Sequence, residues 1–94
     1  MFCYNDIKWK RIAERVKRRD GYKCQISARY GKSVPAEVVH HIFPVEDYPQ
    51  YAYCSWNLIS LCRAKHNELH DRNTNELTEK GFALMRRTKK PNDK

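Results

Sequence analysis

All four histidines of this 94-residue chain fall into two tight groups, the adjacent pair His40-His41 and the pair His66 and His70, four residues apart. Imidazole ligates metals and, with an ordinary pKa of about 6.5, accepts protons near neutral pH. On a helix, residues four apart project from one face, so His66 and His70 can each place a nitrogen about 2.0–2.1 Å from a single transition-metal ion. At a strand end, adjacent residues point to opposite sides. One of His40 and His41 therefore joins that cluster easily, and the other is left to face a substrate. A free imidazole beside a metal suits a general base that activates water for attack on phosphorus. The ion would polarise the phosphate and stabilise the departing 3′ oxygen.

The elements that must position these histidines can be read along the chain. Asn5 or Asp6 can cap a basic helix over about 6–19, in which Trp9, Ile12, Ala13 and Val16 recur at helical spacing. Gly21 ends it, and residues from Tyr22 to Pro35 are irregular. Ala36 to His40 is short, β-branched and strand-like, and Asn57 to Cys62 reads as a second strand. Between them, Phe43 to Ser55 holds two prolines and three tyrosines and reads as a long loop. Arg63 to Asp71 contains no breaker and reads as the helix that carries His66 and His70. After the polar stretch Arg72 to Glu76, Thr78 can cap a last helix with Phe82, Ala83 and Met85, followed by a basic tail to about 94.

Ninety-four residues suit one compact domain and are too few for two separate cores. The expectation is a single α+β domain spanning 1–94, with a ββα core over about 36–71. A formal charge of +8 points to a polyanionic partner, nucleic acid first. A membrane is not expected as a partner, because no apolar run approaches the roughly 20 residues that span a bilayer. The first helix also lacks the bulky apolar face of a membrane binder. Met1 to Asp6 lacks the basic-then-apolar order of a secretory signal, so a cytoplasmic location and reduced thiols are expected.

Val39-His40-His41-Ile42, Asn57-Leu58, Leu61-Cys62 and Lys65-His66-Asn67-Glu68-Leu69-His70 together resemble the HNH (ββα-metal) endonuclease motif, in the three-histidine variant similar to the colicin DNases. The likeness runs from about Trp9 to Gly81, since a basic helix running into Arg19-Asp20-Gly21-Tyr22-Lys23-Cys24, and Leu77-Thr78-Glu79-Lys80-Gly81 after the last histidine, resemble small HNH proteins of phages and prophages. It implies a short antiparallel hairpin plus a metal-binding helix, flanked by the basic N-terminal helix and a C-terminal helix. The resemblance assigns His40, His66 and His70 to the metal and His41 to the base. It gives Asn57 the task of bracing the loop backbone so that His41 stays aimed. The implied reaction is hydrolysis of DNA phosphodiesters, by nicking or double-strand cutting, to a 5′ phosphate and a 3′ hydroxyl. Mg²⁺ or Mn²⁺ is the implied ion for turnover, while Zn²⁺ or Ni²⁺ can bind tightly. By family analogy, phage packaging (terminase) proteins are candidate partners.

One departure from the pattern stands out. Many small HNH proteins hold a structural zinc on two Cys-x-x-Cys pairs, and the corresponding places here are Cys24 with Ser27 and Cys62 with Lys65. Two of four thiolates are missing, and neither Cys3 nor Cys54 has the spacing to substitute, so no structural zinc held by four cysteines is expected.

Arg11, Arg15, Arg18 and Arg19 on the basic helix, and Arg63 at the start of the site helix, are the candidate phosphate contacts, against the ordinary reading of a solvated helix face. Trp9, Trp56, Tyr22 and Tyr30 are read as core rather than base-stacking groups. The competing function is a non-catalytic, metal-stabilised nucleic-acid-binding module. His41 separates the two, since a structural finger needs no spare imidazole beside a ligand.

Overall fold

Asp6 opens the first helix, α1 (Ile7–Arg19), its carboxylate accepting the Lys8 N–H at 3.2 Å and so satisfying a backbone donor the helix cannot. The computed structural model describes residues 2–71, 73–74 and 76–89. The helix stops at Gly21 and Tyr22, both with positive φ (66° and 58°), a backbone glycine adopts freely and tyrosine at a cost of about 1 kcal/mol. A short helix, α2 (Gln25–Arg29), follows, too brief to show periodicity in the sequence. A bridge between Lys23 and Pro35 closes this excursion.

The hairpin consists of β1 (Val38–His41) and β2 (Leu58–Leu61), antiparallel, with Val38 opposite Leu61 and His41 opposite Leu58. β1 starts two residues later than the sequence suggests, because the Ala36 N–H is held by the Tyr22 carbonyl at 2.9 Å. The pleat then divides the residues between two faces. Leu58 packs under α1 in a small cluster with Trp9 and Val16, and Val39 lies against it. On the other face, Ile59 and Leu61 join Cys24, Ile42, Phe43, Cys62, Leu69 and Leu84 in the larger cluster. β2 is buried along its whole length. α1 is tied to it by Arg19, whose guanidinium donates to the Ser55 and Leu58 carbonyls at 2.9 and 2.8 Å and pairs with Asp20. Asp20 in turn accepts the Ser60 N–H at 3.0 Å.

The segment between the strands is more ordered than a plain loop. Two 3₁₀ turns, Pro49–Tyr51 and Ser55–Asn57, punctuate it, and Phe43 packs against Tyr48, Tyr51 and Trp56 at centroid distances of 5.1, 5.9 and 5.8 Å.

After β2, α3 spans only Arg63–Asn67, and this corrects the expectation of one helix to Asp71. His70 lies beyond the helix end, in a bridge to Leu77. The physical reason is Thr78: its hydroxyl donates to the Glu68 carbonyl at 2.6 Å and its N–H to the Leu69 carbonyl at 2.9 Å. Those carbonyls would otherwise serve the next helical turn. Thr78 also caps α4 (Glu79–Arg87), accepting the Gly81 N–H. Leu84 is the buried anchor of α4, whereas Phe82 is 45% exposed. Tyr22 and Tyr30 likewise stand in solvent, at 48% and 72% exposure, which corrects their reading as core residues; Trp9 is buried and Trp56 packs on the core as expected. Arg72, Asn75 and the end of the expected basic tail from Lys90 lie outside the described residues.

Candidate functional site

Because His40 and His41 are consecutive on β1, they serve opposite faces of the hairpin. His40 points toward α3 and the bridge segment, where its ring forms a near-equilateral triangle with His66 and His70: all three centroid separations are 5.2 Å. One nitrogen from each ring lies within 4.8 Å of the others. Nε2 of His40 and Nδ1 of His70 are buried without any hydrogen-bond partner among the described residues. Burying such atoms unpaired costs about 1–3 kcal/mol each, and a shared cation would satisfy both. Three imidazoles with lone pairs aimed at one volume fit a divalent transition metal. The histidines that sequence spacing placed on one helix thus do converge, by a helix and a bridge rather than by one helical face.

Burial holds His40 well below the ordinary imidazole pKa range, and the neighbouring His66, His70 and His41 push it the same way. His66 is also lowered, by burial first and then by His70 and Arg63. Both rings are therefore neutral at pH 7 and have the lone pairs that ligation needs.

His41 faces α1. Its Nε2 lies 3.0 Å from the Ala52 carbonyl, which can only accept, so Nε2 carries the proton and Nδ1 is left with a free lone pair. The ring is held by stacking on Trp9 at 4.8 Å and by the edge of Phe2 at 5.2 Å. Burial lowers its pKa, and the Ala52 carbonyl partly opposes that shift. Asn57 is fully buried and accepts the Phe43 N–H at 2.7 Å while donating to the carbonyls of Phe43 and Tyr51 at 3.1 and 3.2 Å. It thereby clamps the backbone on both sides of the loop, one residue from the carbonyl that orients His41. The aromatic hold on His41 is not legible in the sequence: Trp9 reads there only as part of a core stripe, and nothing in the spacing of Phe2 and Trp9 announces their partner.

Among the described residues, β1 pairs with β2 alone. A groove of about 1050 Å³ is lined by all four histidines, together with Lys17 and Glu76. The metal candidates and His41 therefore border one groove from the two faces of a single strand.

The arginines differ in their engagement. Arg11, Arg15 and Arg18 are exposed on α1, Arg18 with a 4.0 Å contact to Glu14. Arg63 is exposed at the start of α3, 3.7 Å from Glu37, and its N–H is held by the same carboxylate. Arg19 is spent on Asp20 and two carbonyls, so it serves the fold.

No protein-family profile matches the chain, and no match is found among curated proteins. Among solved structures, the chain is similar to the HNH endonuclease of the deep-sea thermophilic bacteriophage GVE2, determined with a manganese ion. The two share 34% identity over 68% of this chain and 70% of that one, with a TM-score of 0.66. That likeness supports a nuclease function, and the histidine triangle fits the metal site such a fold carries. By this match and by the arrangement of His40, His66 and His70, the chain belongs to the HNH endonuclease family.

Proposed function

We propose that this chain is a metal-dependent endonuclease that hydrolyses DNA phosphodiester bonds, with His41 as general base and His40, His66 and His70 as the ligands of one divalent ion. The observation that carries this reading is the division of the two strand-end histidines: His40 completes a triangle with orphaned nitrogens, while His41, tautomer fixed by Ala52, borders the same groove from the other face. The solved relative with manganese supports the choice of a divalent ion.

Held by the three imidazoles, such an ion supplies Lewis-acid polarisation of the scissile phosphate and balances charge on the departing 3′ oxygen. The protein's own groups do the rest. Nδ1 of His41 takes a proton from water as the water oxygen attacks phosphorus. The imidazolium so formed keeps its Nε2–H bond to Ala52, which favours the protonated ring at that moment. Asn57 keeps the Ala52 segment from shifting, so the base stays aimed throughout. Arg11, Arg15 and Arg18 give α1 a phosphate-binding face, and Arg63 offers a cation on the metal side.

The test is relaxation of a supercoiled plasmid by the full chain with Mg²⁺, Mn²⁺, Zn²⁺ or Ni²⁺, and with a chelator. Open-circular or linear product with at least one ion, and none with chelator, is expected. DNA binding without product in every ion would favour the non-catalytic module instead.

A further inference from the structure

Away from the histidine groove, two of the four cysteines meet. Cys24 is the N-cap residue of α2 and Cys62 that of α3, and both are buried, at 0% and 7% exposure, in the same apolar cluster. Backbone hydrogen bonds tie both of their segments to residues 34–37. The Cys24 N–H donates to Val34 at 2.7 Å, the Ala36 N–H to Tyr22 at 2.9 Å, and the Glu37 N–H to Leu61 at 2.9 Å. Residues 34–37 are thus laced to Cys24's segment on one side and to the residue before Cys62 on the other. Ser27 and Cys62 each act on the Cys24 thiol through backbone and side-chain hydrogen bonding. Burial raises a thiol's pKa, but here these hydrogen bonds outweigh burial and hold Cys24 below its ordinary range.

The other cysteines are placed differently. Cys3 is exposed, and Cys54 donates to the Gln50 carbonyl at 3.8 Å. Lys65, three residues after Cys62, turns its ammonium to the Glu68 carboxylate at 3.6 Å. Neither Cys3 nor Cys54 belongs to the buried cluster that holds Cys24 and Cys62.

We propose that Cys24 and Cys62 form a reversible dithiol–disulfide site, closed by a two-electron thiol oxidant, that staples the start of α2 to the start of α3. With an azo oxidant such as diamide, one thiolate adds across the N=N bond. The second thiolate displaces that nitrogen from the first sulfur, forming the S–S bond. The two thiols lose two electrons and two protons, and the azo group leaves as the hydrazine. Because α3 carries His66, the staple ties the metal-binding side of the hairpin to the body of the fold and opposes unfolding.

The experiment treats the folded, metal-free full chain with diamide, then quenches, denatures and counts thiols, with peptide mapping of the product. The expected result is a halving of free thiols, an intact mass lower by two hydrogens, and a single linked pair, Cys24 with Cys62. The oxidised chain should also melt several degrees higher, reversibly on adding dithiothreitol. Cys24→Ser and Cys62→Ser should each block this, while Cys3→Ser and Cys54→Ser should not. Should the core variants fail to fold, the wild-type peptide map decides alone. Four thiols surviving oxidation, or a linkage through Cys3 or Cys54, overturns the proposal.

Discussion

The indole of Trp9 lies stacked on the ring of His41, centroids 4.8 Å apart and planes 27° from parallel, so the first helix is coupled directly to the candidate base. Truncating a buried aromatic costs about 3–5 kcal/mol, a large part of the roughly 5–15 kcal/mol that holds a domain folded. Trp9→Ala is therefore expected to leave the chain marginally stable in thermal unfolding. Trp9→Phe keeps a smaller ring face against His41. It should fold, bind Mn²⁺ like the wild type because the His40, His66 and His70 cluster lies across the hairpin from Trp9, and lose turnover by up to about 10²-fold if His41 is the base and loosens. Equal loss of metal affinity would contradict this separation.

Gly81 holds α4 close to the segment that delivers His70. A Cβ at this position would meet the Leu69 carbonyl oxygen and Leu77 Cδ2, both at 2.7 Å. Gly81→Ala should destabilise the chain by about 1–3 kcal/mol through overpacking, despite alanine's better helix propensity. Since Leu69 and Leu77 flank and pair with His70, metal affinity should fall about tenfold or more. Calorimetric unfolding and a Mn²⁺ titration on the same variant check both halves.

Asn57 bonds three backbone groups at once, the Phe43 N–H and carbonyl through buried contacts and the Tyr51 carbonyl through a part-buried one. Asn57→Ala leaves the Phe43 N–H and the Phe43 and Tyr51 carbonyls without it, at an expected cost of about 2–4 kcal/mol in denaturant unfolding. Turnover should fall in the surviving folded fraction while the His40, His66 and His70 cluster still takes up metal.

The metal-free chain should lose stability in acid. Burial lowers the folded-state pKa of His40, His41 and His66 below the unfolded value of about 6.5. Below that value the unfolded chain binds protons that the folded chain refuses. Stability is thus complete above about pH 6.5 and is lost as pH falls through the depressed folded-state values. Unfolding midpoints between about pH 8 and pH 5 test the sign: a midpoint that rises on acidification would contradict the buried, neutral assignment. Saturating Mn²⁺ should add stability at neutral pH and progressively less in acid, because the imidazoles of the His40, His66 and His70 cluster must be neutral to bind it.

Much of the site could be read from the sequence because its determinants are local. Adjacent histidines on a β-branched run must diverge, and β1 separates His40 from His41 as strand geometry requires. Asp6 and Thr78 cap their helices because short polar side chains reach free N–H groups from the flanking position. What stayed hidden was set by contacts distant in the chain. The end of α3 is decided by Thr78, ten residues beyond Glu68, so a breaker-free run gave no warning that His70 leaves the helix. Arg19 looks like its neighbours on a basic helix, and only the carbonyls of Ser55 and Leu58 remove it from the free cations. The hold of Phe2 and Trp9 on His41 likewise exists only once α1 is laid across the hairpin.

The division of labour between neighbouring histidines is tested most directly by comparing His41→Ala with His70→Ala, measuring Mn²⁺ affinity by calorimetry alongside plasmid cleavage at saturating ion. His41→Ala should bind one ion as tightly as the wild type yet cleave about 10²–10⁴-fold more slowly, whereas His70→Ala should lose the ion itself. Unimpaired cleavage by His41→Ala, or undiminished Mn²⁺ affinity in His70→Ala, would contradict it.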